Sequence, residues 1–192
     1  MTRLYLITHA HTQIAPAVEA AHWQLSLTGQ AQAAALADMT FWGNVERILV
    51  SSQSKTHLTV APLLTRRPIP ITVDNRFDEV QRPDWVENYP ARVQAFFAAP
   101  HRAVGGWEPA AHALQRFLDG LHAHLRPGAP TAALVGHGLV LSLYRAYLLG
   151  LPTADFAAWR QLGFAAVAEV ELDGPTWIAD FSAAVASPPR SP

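Results

Sequence analysis

Arg3-Leu4-Tyr5-Leu6-Ile7-Thr8-His9-Ala10-His11-Thr12 is the stretch that decides how the chain is read. Leu4 to Ile7 are apolar without alternation, which suits a strand covered on both faces, as in a parallel sheet between helices. The run then breaks into polar residues that include His9 and His11. In open α/β sheets the carboxyl end of such a strand opens onto a ligand crevice.

The same design recurs twice further along. Arg47-Ile48-Leu49-Val50 leads into Ser51-Ser52, and Ala132-Ala133-Leu134-Val135 leads into Gly136-His137-Gly138, each followed by a helical pattern. This predicts a three-layer α/β fold, a mostly parallel sheet with helices on both faces, in which His9, Ser51/Ser52 and His137 arrive at one sheet edge.

Between these strands, Leu27 to Met39 carries Ala31, Ala35 and Leu36 at helical spacing, with Thr28 as candidate N-cap. Lys55 to Leu64 is the next helix, with Ser52 or Ser54 as cap candidates and Pro68 and Pro70 closing it. Ile69 to Val73 is a short strand, Pro90 opens a helix to Phe97, and Trp107 to Leu125 is the longest helical stretch. Leu139 to Leu149 stops at Gly150 with Pro152 beyond, and Thr153 to Trp159 is a short helix. Phe164 to Leu172 and Thr176 to Phe181 flank Asp173-Gly174 and read as a hairpin at the sheet edge. No repeat or linker divides the chain, so 1–186 is expected to be one domain and 187–192 a flexible Pro-rich tail.

With 192 residues, 50% hydrophobic content and a mean hydropathy of +0.09, the chain has enough apolar material for a sizeable core. The absence of cysteine excludes disulfides, thiolate metal sites and cysteine nucleophiles. A net charge of −1 without a basic run gives no reason to expect nucleic acid. No apolar stretch approaches the ~20 residues that span a bilayer, so no membrane partner is expected. The N-terminus enters a strand directly, without an export leader, and a cytoplasmic location is expected. Lys55 is the only lysine.

In its order of motifs the chain resembles the histidine phosphatase superfamily, which includes cofactor-dependent phosphoglycerate mutase. Thr8-His9-Ala10 stands where that family has Arg-His-Gly at the end of its first strand. Leu27-Thr28-Gly29-Gln30-Ala31-Gln32-Ala33 is similar to Leu-Thr-x-x-Gly-x-x-Gln-Ala with the glycine displaced, and Ser51-Ser52 to Ala61-Pro62-Leu63 to Ser-Ser-x-x-x-Arg-Ala-x-Gln-Thr-Ala-x-x-Leu. Phe77-Asp78-Glu79 resembles Leu-x-Glu, and Gly136-His137-Gly138 to Pro152 resembles the second-histidine strand and helix.

The resemblance implies a phosphoric-monoester hydrolase that works through a phosphohistidine, with no cofactor and with a small phosphorylated or anionic metabolite as its partner. It implies His9 as nucleophile, Glu79 as acid, with Asp78 beside it as the rival carboxylate, and His137 as a donor to the phosphoryl group. Histidine suits the first role because a neutral imidazole, with an ordinary pKa of ~6.5, offers one nitrogen lone pair at neutral pH.

The family's two phosphate-clamping arginines are replaced, by Thr8 and Thr56. A threonine hydroxyl donates one hydrogen bond without charge, whereas arginine brings a charged bidentate fork. The loss of one preorganised oxyanion donor costs ~2.7–4 kcal/mol, so ordinary activity requires substitutes. His11, Lys55 and His57 are candidates, as are Gly138, the amino end of the Lys55 helix, and Arg76, Arg82 and Arg102 in loops. Taken alone, Lys55 and His57 read as a solvated helix turn. Trp85 and Trp107 are candidates for the substrate mouth.

Two alternatives stand beside the hydrolase. A relative that kept the pocket but lost the phosphate clamp would serve as an anion-binding or scaffold protein. His9, His11, His57 and His137 also form a minor zinc candidate, without a His-Glu-x-x-His signature.

Overall fold

A computed structural model describes residues 2–83, 86, 88–126 and 128–185. Trp85 and the tail 187–192 lie outside them.

Strands β1 (Arg3–Thr8), β2 (Arg47–Val50), β3 (Ile71–Val73) and β4 (Ala132–Gly136) run parallel, while β5 (Ala166–Glu171) pairs antiparallel with both β1 and β6 (Thr176–Ala183). The six-stranded sheet has the order β3-β2-β4-β1-β5-β6, so the expected hairpin does form one edge. The helices are α1 (Leu27–Ala37), α2 (Ser54–Arg66), α3 (Tyr89–Ala98), α4 (Ala110–His124), α5 (Gly138–Leu148) and α6 (Phe156–Gln161).

Strands β1, β2 and β4 are buried on both faces, which explains their unbroken apolar runs. Along β1 the side chains alternate: Leu4 and Leu6 join a core with Phe96 of α3, Phe117 of α4 and Tyr144 of α5. Tyr5 and Ile7 join a second core with Leu36 of α1 and Val60 of α2. Each large side chain so buried contributes about 1.5–3 kcal/mol.

Helix boundaries depart from expectation at their caps. Ser26, not Thr28, caps α1 by accepting from the Gly29 N–H. Neither Ser52 nor Ser54 caps α2; Gln53 holds that position without a side-chain bond, and the helix continues through Pro62 to Arg66. Helix α4 starts at Ala110 because Pro109 takes the cap position, and α6 starts at Phe156 because Asp155 accepts from the Ala157 and Ala158 N–H groups. Trp107 is core rather than mouth: it is 1% exposed and packs on Phe96. Among the described residues no helix is long and apolar enough to cross a membrane.

Candidate active site

The register brings the three strand ends level. Thr8 of β1 pairs with Gly136 of β4, and Val50 of β2 pairs with Val135. His9, Ser51 and His137 are the next residues out, and the His9 N–H donates to the Gly136 carbonyl at 3.0 Å. The His9 and His137 rings lie 5.4 Å apart, inclined at 57°.

His9 is held in one tautomer. Its Nδ1 lies 2.8 Å from the Ala10 carbonyl oxygen. A carbonyl only accepts, so Nδ1 carries a proton, and in the neutral ring the lone pair is on Nε2.

His137 is wholly buried, and its Nε2 lies 2.8 Å from the Ser51 hydroxyl. Ser51 Oγ also accepts from the Gln53 N–H at 3.2 Å and meets the Thr56 hydroxyl at 3.1 Å, while Thr56 donates to the Gln53 carbonyl at 2.9 Å. The other ring nitrogen, Nδ1, is buried without a hydrogen-bond partner among the described residues. Burial pushes the His137 pKa well below its ordinary value, and the charge of Lys55 adds to that. The ring is therefore neutral at neutral pH.

The adjacent carboxylates divide their work. Glu79 accepts from the Leu139 N–H at 3.0 Å and the Val140 N–H at 3.2 Å, so it caps α5 two residues past His137. Those two N–H groups of the helix whose first residue is Gly138 are thus already engaged. Asp78 turns to Ser52 instead, accepting from its N–H and its hydroxyl, both at 2.7 Å.

The two threonines expected to stand for arginine, Thr8 and Thr56, are turned into the protein. Thr8 donates to the Gly163 carbonyl and accepts from the Ala166 N–H, both at 2.9 Å, with no exposure. It staples β1 to the turn before β5. Thr56, equally buried, holds its hydroxyl 3.1 Å from Ser51 Oγ and bonds the Gln53 carbonyl.

Lys55 is not the solvated residue its type suggests. It is 5% exposed, donates to the Ala20 carbonyl at 2.7 Å, and stands 5.7 Å over the Trp23 ring. Burial lowers its pKa to about 8, with Glu79 opposing. His57 donates through Nε2 to the Ser51 carbonyl at 3.0 Å. His11 bonds Ser26 through Nδ1 at 2.7 Å, and burial lowers its pKa, so it brings no charge at neutral pH. Of the loop arginines, Arg76 is bound to Asp74 and Arg102 is exposed. The amino end of α2 offers fewer donors than expected, since the Ser52 and Gln53 N–H groups are already bonded. Among the described residues no group of three His, Asp or Glu is placed to hold a metal, so the zinc candidate has no geometric support.

Two features at the site carry no sequence signal. Phe164 places its ring 5.7 Å from that of His9 and 5.0 Å from that of His11. It is presented by a turn in which Ala165, at φ +48°, donates to the His9 carbonyl. Arg116 of α4 donates to the carbonyls of Arg76 at 2.8 Å, Asp78 at 3.1 Å and Glu79 at 3.4 Å, and so holds the segment that carries both carboxylates.

A parallel-sheet α/β protein with two facing histidines and a carboxylate at the strand ends defines the class. The chain belongs to the histidine phosphatase superfamily (branch 1), whose sequence profile matches residues 4–183. Its fold is shared by YhfR of Bacillus stearothermophilus, with a TM-score of 0.80, 24% identity, and 97% of this chain and 98% of that one covered. A mycobacterial glucosyl-3-phosphoglycerate phosphatase in complex with VO3 gives 0.73 at 23% identity, covering 94% and 98%. The α-ribazole phosphatase of Shigella flexneri gives 0.71 at 20%, covering 94% and 96%. No curated protein sequence matches the chain significantly.

Proposed function

We propose that the chain is a phosphomonoesterase that acts through a phosphohistidine at His9 on a small phosphorylated metabolite. The observation that carries this reading is the Nδ1–Ala10 hydrogen bond, which puts the His9 lone pair on Nε2 beside the buried His137. Nε2 attacks phosphorus, the bond to the ester oxygen breaks, and Glu79 relays a proton to that oxygen as the alcohol leaves. Water then attacks phosphorus and passes a proton to Glu79, the P–N bond breaks with its electron pair returning to Nε2, and inorganic phosphate leaves.

His137 serves the phosphoryl oxygens. Its Nδ1, unpartnered among the described residues, gains a bond when an anion oxygen lies beside it, with Ser51 donating to Nε2. Lys55 supplies positive charge in place of the clamp, and His57, Thr56 and Gly138 shape the surrounding backbone. Thr8 lies outside the proposed substrate contacts because its hydroxyl is spent on β5.

One observation favours a second reading. Neither threonine presents a donor toward the histidines' open side, which suits an anion-binding relative without turnover. Hydrolysis of an aryl phosphate by the parent and by His9→Asn separates the two. The hydrolase reading expects turnover that His9→Asn abolishes, whereas the binding reading expects phosphate affinity with no turnover in either protein.

A further inference from the structure

Resting on the anion site just proposed, we infer that Arg82 supplies its second positive charge, delivered by a loop that the Arg116–Glu108 pair of α4 and its approach holds in place. A phosphate dianion facing Lys55 alone would be half-neutralised, and the in-place arginine positions are closed. A second cation has to come from elsewhere.

Arg82 fits that part by placement and by chemistry. It follows Glu79 by three residues, and Glu79 is fixed on the first turn of α5 beside His137. Its guanidinium lies 4.7 Å over the Tyr89 ring and 5.6 Å over the Trp107 ring. Its charge reaches both His137 and Lys55, since it contributes to lowering the pKa of each. Among the described residues it has no carboxylate partner, unlike Arg76, Arg116 or Arg145. Stacking on rings orients the guanidinium face and keeps its charge while leaving the N–H edge open to an anion.

The loop is pinned from α4. Glu108 accepts from the Gln81 N–H at 3.1 Å, and its own N–H donates to the Gln81 carbonyl at 2.8 Å. Arg116 grips Glu108 through two nitrogens, at 2.8 and 3.1 Å, and the carbonyls of Asp78 and Glu79 with the same guanidinium. One ion pair therefore sets the residue before Arg82 and the proposed acid together. Such a brace preorganises charge without touching the anion.

The test measures inorganic phosphate binding by the full chain, from competitive inhibition of aryl phosphate hydrolysis and independently from 31P line broadening, in the parent, Arg82→Met and Arg82→Lys. Methionine keeps an apolar stem against Tyr89 and Trp107 and removes the charge, and lysine restores the charge without the stacked fork. Loss of one charged hydrogen-bond donor predicts phosphate binding weakened roughly ten- to a hundredfold in Arg82→Met, with partial recovery in Arg82→Lys. Unchanged phosphate binding in a folded Arg82→Met overturns the assignment and leaves the hydrolase reading standing, as does a lowered melting temperature with binding intact. A parent that binds no phosphate overturns both.

Discussion

His9 and His137 face each other with ring centroids 5.4 Å apart at the ends of neighbouring parallel strands, and Ser51, from the third strand, holds the second of them by Nε2. Ser51→Ala removes that support from a fully buried imidazole. The expected cost is about 1–3 kcal/mol of stability, together with a fall in kcat larger than any rise in KM. Urea denaturation and steady-state kinetics on an aryl phosphate check it, and an unchanged kcat contradicts the positioning role of Ser51.

Lys55 gives the site a pH dependence. Burial lowers its pKa to about 8 from an ordinary 10.5, so the amine is charged below that value and neutral above it. Phosphate affinity is expected to weaken as pH rises through about 8 in the parent. Lys55→Arg, which keeps its charge throughout, moves that limb to higher pH. The unfolded chain holds this proton more tightly than the folded one, so stability rises with pH between about 8 and 10.5. That rise disappears in Lys55→Met. Phosphate inhibition constants and urea midpoints across this range are the measurements, and a limb unmoved by Lys55→Arg contradicts the assignment.

Restoring the family arginine at the first strand is expected to fail. Thr8 has no exposed surface, and its hydroxyl bonds both the Gly163 carbonyl and the Ala166 N–H. Thr8→Val loses both bonds, at about 1–3 kcal/mol for each stranded partner, and Thr8→Arg adds overpacking to that loss. Thermal unfolding ranks parent above Thr8→Val above Thr8→Arg. A folded Thr8→Arg with raised activity shows that the site retains room for the old clamp.

Gly29 marks where α1 meets the histidine loop. A Cβ there would stand 1.9 Å from the His11 carbonyl oxygen, which already accepts from the Ser26 N–H. Gly29→Ala is expected to cost about 1–3 kcal/mol or more and to displace His11, with the loss seen in the urea midpoint. Wild-type stability in this variant would mean that the loop yields freely.

The fold was legible because strands buried on both faces are written as unbroken apolar runs, and Leu4 to Ile7 divides its side chains between two cores. The same runs placed His9, Ser51 and His137 at one edge. Hidden from the sequence was whatever depends on contacts without periodicity. Lys55 looked solvated because a lysine usually is, and nothing local announces that Ala20 and Trp23 fold back over it. The choice between Asp78 and Glu79 was likewise made by distant partners, Ser52 for one and the start of α5 for the other. Arg116 could not be assigned to the 76–79 carbonyls by spacing, since 37 to 40 residues separate them.

The most direct test of the central claim is to quench the protein during turnover of an aryl phosphate and look for phosphate bound to it. The account predicts a phosphoryl group that is labile to acid and stable to base, located on His9, and missing from His9→Asn. No bound phosphate under turnover, or the same adduct in His9→Asn, would contradict it.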